Sequence, residues 1–195
     1  GYQGLQSSLN SFADFCSIGR LEGYAITNKI DAEEIIGNKM VSPGFRIIGI
    51  SQRVFKDEVI SPEKLVYKSD DLKLFQYDDG KDATIISFNF SFPQAWAIRN
   101  AMKEKNINPS LFNVNAMTPI DWEKIIENVN ETGKLIVLDD SKSENLPLYS
   151  LVAEAEMKAK PKKVMILKRE LDDDWLTPNK DALEIDPTKI IEAIK

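Results

Sequence analysis

The feature that most constrains this chain is a hydrophobic period that switches back and forth through its second half. Asp82 to Phe88 is a short apolar, β-branched run that follows the turn signal Asp78-Asp79-Gly80, and it reads as a buried strand. Pro93 then opens a helical stretch, Gln94 to Lys105, with Trp96, Ile98, Ala101 and Met102 available for an inner face. Leu111 to Val114 reads as a strand, Trp122 to Val129 as a helix ended by Gly133, and Leu135 to Leu138 as the clearest buried strand. A helix over 146–159, a strand over 164–167 and a last helix over 188–194 complete the series. Strand and helix in repeated alternation predict a mostly parallel sheet covered by helices on both faces, a three-layer αβα architecture. The wholly apolar strand 135–138 fits a sheet with both faces sealed.

The first half carries a weaker version of the pattern. Helices are expected over 4–15 and 31–39, and strands over 23–27 and 45–50. Between the halves, Lys56 to Lys81 is polar and highly charged and contains Pro62, so it reads as a linker with room for one edge strand. The expected division is a first segment, 1–58, a linker, 59–81, and an α/β domain, 82–195.

Charge and residue usage narrow the chemistry. A net charge of -6 repels phosphate backbones, which argues against nucleic acid as a partner. No apolar run approaches the ~20 residues of a membrane helix, and the first residues lack a basic segment followed by an apolar one. The single cysteine, Cys16, forms no internal disulfide and suits a cytoplasmic location; set among Phe12, Phe15 and Ile18, it reads as packing rather than as a nucleophile. The chain has no histidine at all. That removes serine–histidine and cysteine–histidine catalysis and the usual zinc sites from this chain. No Gly-rich phosphate loop supports a nucleotide-binding reading.

From Asp82 onward the sequence resembles the C-terminal domain of transketolases and of 2-oxo acid dehydrogenase beta subunits. The resemblance rests on the ordered pieces Pro119-Ile120-Asp121, Thr132-Gly133 and Asp139-Asp140, and on a proline-led tail, LTPNKDALEIDPTKIIEAIK. Upstream, EGYAITNKIDAEEIIGNKMVSPGFRIIGIS resembles the end of that family's pyrimidine-binding domain, so 1–58 would be a partial segment of it. Residue 1 would then fall inside that domain, and the glutamate that activates the thiamine pyrimidine ring would lie upstream, in another subunit, or be lost in a degenerate relative. The histidine of the family's early stretch would align near Gln6. Arginines flanking the Pro-Leu-Asp element become Asn115 and Thr118, and the glycine-rich turn after the acid pair becomes Ser143 to Pro147 without glycine.

Candidate site residues follow from this. Gln6, Ser7 and Ser8 would line the edge of an active site, or simply start a helix. Asp139 and Asp140 end a buried strand, where ligand crevices lie in open α/β sheets, or they cap the following turn. Asp172-Asp173-Asp174 reads as a solvated loop rather than a magnesium cluster. Arg46 and Arg99 would form surface ion pairs, hold an anionic substrate or pair across a subunit contact, and Trp96 and Trp122 would serve as core or dimer contacts rather than ligand platforms. The resemblance implies thiamine diphosphate and Mg2+ only in a complete enzyme, with no cofactor or metal held by this chain alone. It implies a homodimer, or a subunit carrying the diphosphate-binding domain, and an acyltransferase core as a further partner. The expected role is assembly and support of the active-site edge. The alternative is a non-catalytic oligomerisation or regulatory module on the same fold.

Overall fold

A computed structural model describes residues 12–55, 60–117, 120–141, 144–169 and 183–194. The first elements are α1 (Phe12–Gly19), β1 (Glu22–Ile26), α2 (Lys29–Lys39), β2 (Arg46–Ile50) and a short 3-10 helix, Gln52–Phe55. They are followed by β3 (Tyr67–Lys68), β4 (Leu74–Asp79), β5 (Ala83–Phe88), α3 (Phe92–Glu104), β6 (Pro109–Val114) and α4 (Glu123–Thr132). The remainder is β7 (Lys134–Asp139), α5 (Leu146–Lys158), β8 (Lys163–Lys168) and α6 (Pro187–Ile194).

Six strands form one sheet in the order β3-β4-β6-β5-β7-β8. The pairings β6–β5, β5–β7 and β7–β8 are parallel, and β4 joins β6 antiparallel. The expected architecture is therefore present. Alternation along the central strands sends one set of side chains to each helical layer. Ile85, Leu111, Ile136 and Leu138 pack with α3 and α6, while Ile86, Phe112, Leu135 and Val137 pack with α4 and α5. Ser91 and Pro93 start α3 with proline at an early helical position, where its missing N–H costs nothing. Gly133 ends α4 at φ 66°, a left-handed cap that a residue with a Cβ fills less easily.

The segment 59–81 differs from the linker expected of it. It supplies β3 and the whole of β4, and β4 lies inside the sheet between β3 and β6. Leu74, Phe75 and Tyr77 are buried there. The strand turns directly into β5, and the turn is tight: a Cβ on Gly80 would lie 2.0 Å from the Asn108 carbonyl oxygen.

β1 and β2 form a separate two-stranded parallel sheet crossed by α2. This β1–α2–β2 unit rests on the α3 side of the large sheet, where Tyr24, Ile26 and Ile35 join the core of Phe75, Tyr77, Ile85 and Phe92. Among the described residues β2 pairs only with β1, and Met40, Val41 and Phe45 beside it are exposed.

Candidate functional site

In a parallel sheet the C-terminal strand ends face the crevice where ligands collect, so the residues after β5 and β7 come first. Asn89 follows β5 at φ 55°, a left-handed conformation that asparagine tolerates better than most residues. Its Nδ2 donates to Asp139 Oδ1 at 2.7 Å. Ser141 donates to the same carboxylate through its backbone N–H at 3.2 Å and through its hydroxyl. Ser91 Oγ ties the two strand ends together, donating to the carbonyls of Phe88 at 2.7 Å and Leu138 at 3.0 Å.

Asp140 is buried and reaches in other directions. It accepts from the Phe90 backbone N–H at 3.1 Å and from Arg53 Nη2 at 2.9 Å, with Arg169 Nη2 at 3.6 Å. Arg53 belongs to the 3-10 helix after β2, so this carboxylate joins the first unit, the β5–α3 turn and the end of β8. Burial pushes its pKa above the ordinary carboxylate value, while Arg53 and Arg169 pull it down. Asp139 and Asp140 are thus spent on bonds within the fold. Among the described residues no group of three or more Cys, Asp or Glu could hold a metal ion.

A second polar cluster joins the first unit to the middle of the sheet. Asn28 caps α2, its Oδ1 accepting from the Asp31 N–H at 3.0 Å. Asp31, fully buried in the first helical turn, accepts from Thr27 Oγ1 at 2.6 Å, Tyr77 Oη at 2.5 Å and Asn113 Nδ2 at 3.0 Å. Asn113 also accepts from Ser87 Oγ at 2.7 Å, and Asn115 Nδ2 donates to the Ala25 carbonyl at 3.1 Å. Burial raises the pKa of Asp31, and burial together with the Asp31 charge raises that of Tyr77. Sequence reasoning placed Asp31 only as an early helix residue and missed Tyr77, Arg53 and Asn113. The only local signal was an acid within the first turn of a helix, since the partners are remote in sequence.

Gln6, Ser7, Ser8 and the Asp172–Asp174 run lie outside the described residues. Arg99 ion-pairs with Asp78 at 2.6 Å and lies 4.3 Å over the Trp96 ring, as the ion-pair reading expected. Arg46 differs: it donates to the Ser42 carbonyl at 2.8 Å and to the Lys39 carbonyl. It is a cap on the end of α2, because the chain returns there into β2. Trp122 and Cys16 are buried, and Trp96 packs partly buried against the core. A mostly apolar cleft of about 570 Å³ runs between Leu21, Met117, Ile120, Trp122 and Pro147.

The fold and these clusters define an α/β domain whose strand-end acids clamp a neighbouring unit in place. Residues 75–167 match the family model described as transketolase, C-terminal domain. The chain is also related to beta subunits of 2-oxo acid-type dehydrogenases. A stretch of 62 residues, 32% of this chain and 19% of the relative, is 31% identical to the pyruvate dehydrogenase E1 component subunit beta of Rickettsia bellii (strain RML369-C). A stretch of 63 residues is 25% identical to the acetoin:2,6-dichlorophenolindophenol oxidoreductase subunit beta of Cupriavidus necator, again covering 19% of that protein. Among solved structures, a split-gene transketolase described as an inactive beta4 tetramer superposes with TM-score 0.58 at 16% identity, over 89% of this chain and 56% of that one. A transketolase from Campylobacter jejuni subsp. jejuni NCTC 11168 superposes with TM-score 0.59 at 9% identity, over 95% of this chain and 26% of that one. These two likenesses are of fold. The chain spans little more than half of the first solved relative, and its matched stretch covers about a fifth of each curated one. No described helix is long and apolar enough to cross a membrane.

Proposed function

We propose that this chain is the C-terminal part, or a separate subunit, of a thiamine-diphosphate enzyme of the transketolase and 2-oxo acid dehydrogenase kind. Residues 1–58 are the end of its pyrimidine-binding domain. Its work is to hold that segment against the sheet and to build the assembly around the active-site edge. The observation that carries this reading is the double clamp: Asp140 gripped by Arg53 and Arg169, and Asp31 gripped by Tyr77 and Asn113. Acids committed in this way hold parts of the fold together.

The partner is a second copy or a subunit with the diphosphate-binding domain, and an acyltransferase core is a further partner in the dehydrogenase case. The side of β2 that pairs with no strand among the described residues, with Met40, Val41 and Phe45 exposed beside it, is suited to a chain that extends the two-stranded sheet. When bound in the complete assembly, the cofactor's ylid supplies the bond chemistry. Gln6 and Ser7 are proposed for the active-site edge, and the compartment proposed is the cytoplasm.

Calorimetric titration of the purified chain with thiamine diphosphate and Mg2+ tests this. The expected result is no micromolar binding alone, and binding once a diphosphate-binding subunit is added. Micromolar binding by the chain alone overturns the reading. The absence of histidine favours a second reading, a non-catalytic oligomerisation or regulatory module. Assembly with the partner but without cofactor uptake would select it.

A further inference from the structure

The cluster around Asp31 has two complete hydrogen-bonding patterns that differ by one proton. In the ionised pattern, Asp31 Oδ2 accepts from Thr27 N at 3.0 Å, Thr27 Oγ1 at 2.6 Å and Asn113 Nδ2 at 3.0 Å, and Oδ1 accepts from Tyr77 Oη at 2.5 Å. The Tyr77 hydroxyl also lies 3.3 Å from Asn28 Oδ1 and accepts from Asn28 Nδ2 at 2.9 Å. A proton taken from solvent onto Asp31 Oδ1 can therefore be donated to Tyr77 Oη. The tyrosine proton then turns to Asn28 Oδ1. No donor is orphaned and no further bond is broken.

We propose that Asp31, Tyr77 and Asn28 form a proton switch that sets how tightly the β1–α2–β2 unit is held on the large sheet. The three belong to the two bodies being joined, with Asn28 and Asp31 on the first unit and Tyr77 on β4. The site is sealed: Asp31, Asn28 and Tyr77 are each 2% exposed or less. Among the described residues no cation pairs with Asp31. From β6 it faces the neutral Asn113, which in turn accepts from Ser87 of β5, and α3 presents Phe92, whose ring lies 5.0 Å from that of Tyr77. The other charge nearby on α2 is Glu34, which is paired with Lys68 of β3 at 2.6 Å. Protonation thus removes a charge that burial opposes and no ion pair offsets.

The sign follows from the raised pKa of Asp31. A carboxyl that holds its proton more tightly in the folded state than in the unfolded one stabilises the fold at acidic pH. That contribution is lost as pH rises from about 3.9 through the folded value. The joint is tightest when Asp31 is protonated.

Carboxyl carbon NMR of the whole chain, with amide hydrogen exchange measured across the same pH range, tests the switch. Asp31 is expected to titrate above the ordinary carboxylate range. Across that titration, protection of the β1 and α2 amides, corrected for intrinsic rates, should fall about tenfold per unit by which its midpoint is raised. Amides of β5 and β7 should hold. In Asp31→Asn the part of the pH dependence that follows the Asp31 titration should vanish, leaving any part set by Asp140 beside Arg53, and if that variant does not fold the titration of the wild-type chain decides. Tyr77→Phe keeps the ring on Phe92 and should move the Asp31 midpoint. An Asp31 midpoint in the ordinary range, flat protection across it, or an identical midpoint in Tyr77→Phe overturns the proposal.

Discussion

Single residues here carry more than their local pattern suggests. Asp140 answers to Arg53, 87 positions away, and Asn115 to Ala25, 90 positions away. Removing one partner of a buried ion pair strands the other, so Asp140→Ala should cost about 3 kcal/mol, read from urea denaturation. Gly80→Ala has no room for its Cβ against the Asn108 backbone and should lower the melting temperature by several degrees, on the order of 1–3 kcal/mol of strain. Sequence alone showed Asp139-Asp140 as a strand-end pair and Asp31 as a first-turn acid. It left Tyr77 and Asn113 unmarked, because a hydrogen bond between residues far apart in the chain leaves no trace in local periodicity. Arg46 was misread for a related reason: a cation near a helix end pairs with an acid or caps carbonyls according to how the chain folds back.

At the level of elements, the apolar strands were legible because both their faces are buried, leaving a continuous run with nothing polar to disguise it. β7 is the clearest case, and Ile136→Ala in it should cost about 2–5 kcal/mol in the same denaturation experiment, since the site is closed by α3 and α6 on its side of the sheet. β4 was not legible. Its buried Leu74, Phe75 and Tyr77 sit between Lys73 and the acids Asp78 and Asp79, and its register slips between Gln76 and Asp78. A six-residue strand with an irregular register and charged neighbours resembles a connector. Asp78 is itself structural, bonded to Arg99 and Lys103 of α3, so the charge that hid the strand fastens it to the next layer.

Across the whole molecule, two bodies share one core. A chain beginning at Ile60 would expose the surfaces of Phe75 and Tyr77 that Tyr24, Ile26 and Ile35 now cover, and would leave Asp140 without Arg53. By scanning calorimetry it should melt at a clearly lower temperature than the full chain, with a smaller unfolding enthalpy. The layered class was readable from the rhythm of strand and helix. The way the first unit seats on the sheet was not, since it depends on polar contacts that only the folded chain brings together.

The Arg53–Asp140 clamp also dictates an order of events during synthesis. Arg53 leaves the ribosome long before Asp140, and closing so long a loop carries an entropic cost that only a formed sheet repays. The Arg53 contact can therefore close only once β7 and the residue after it have been made.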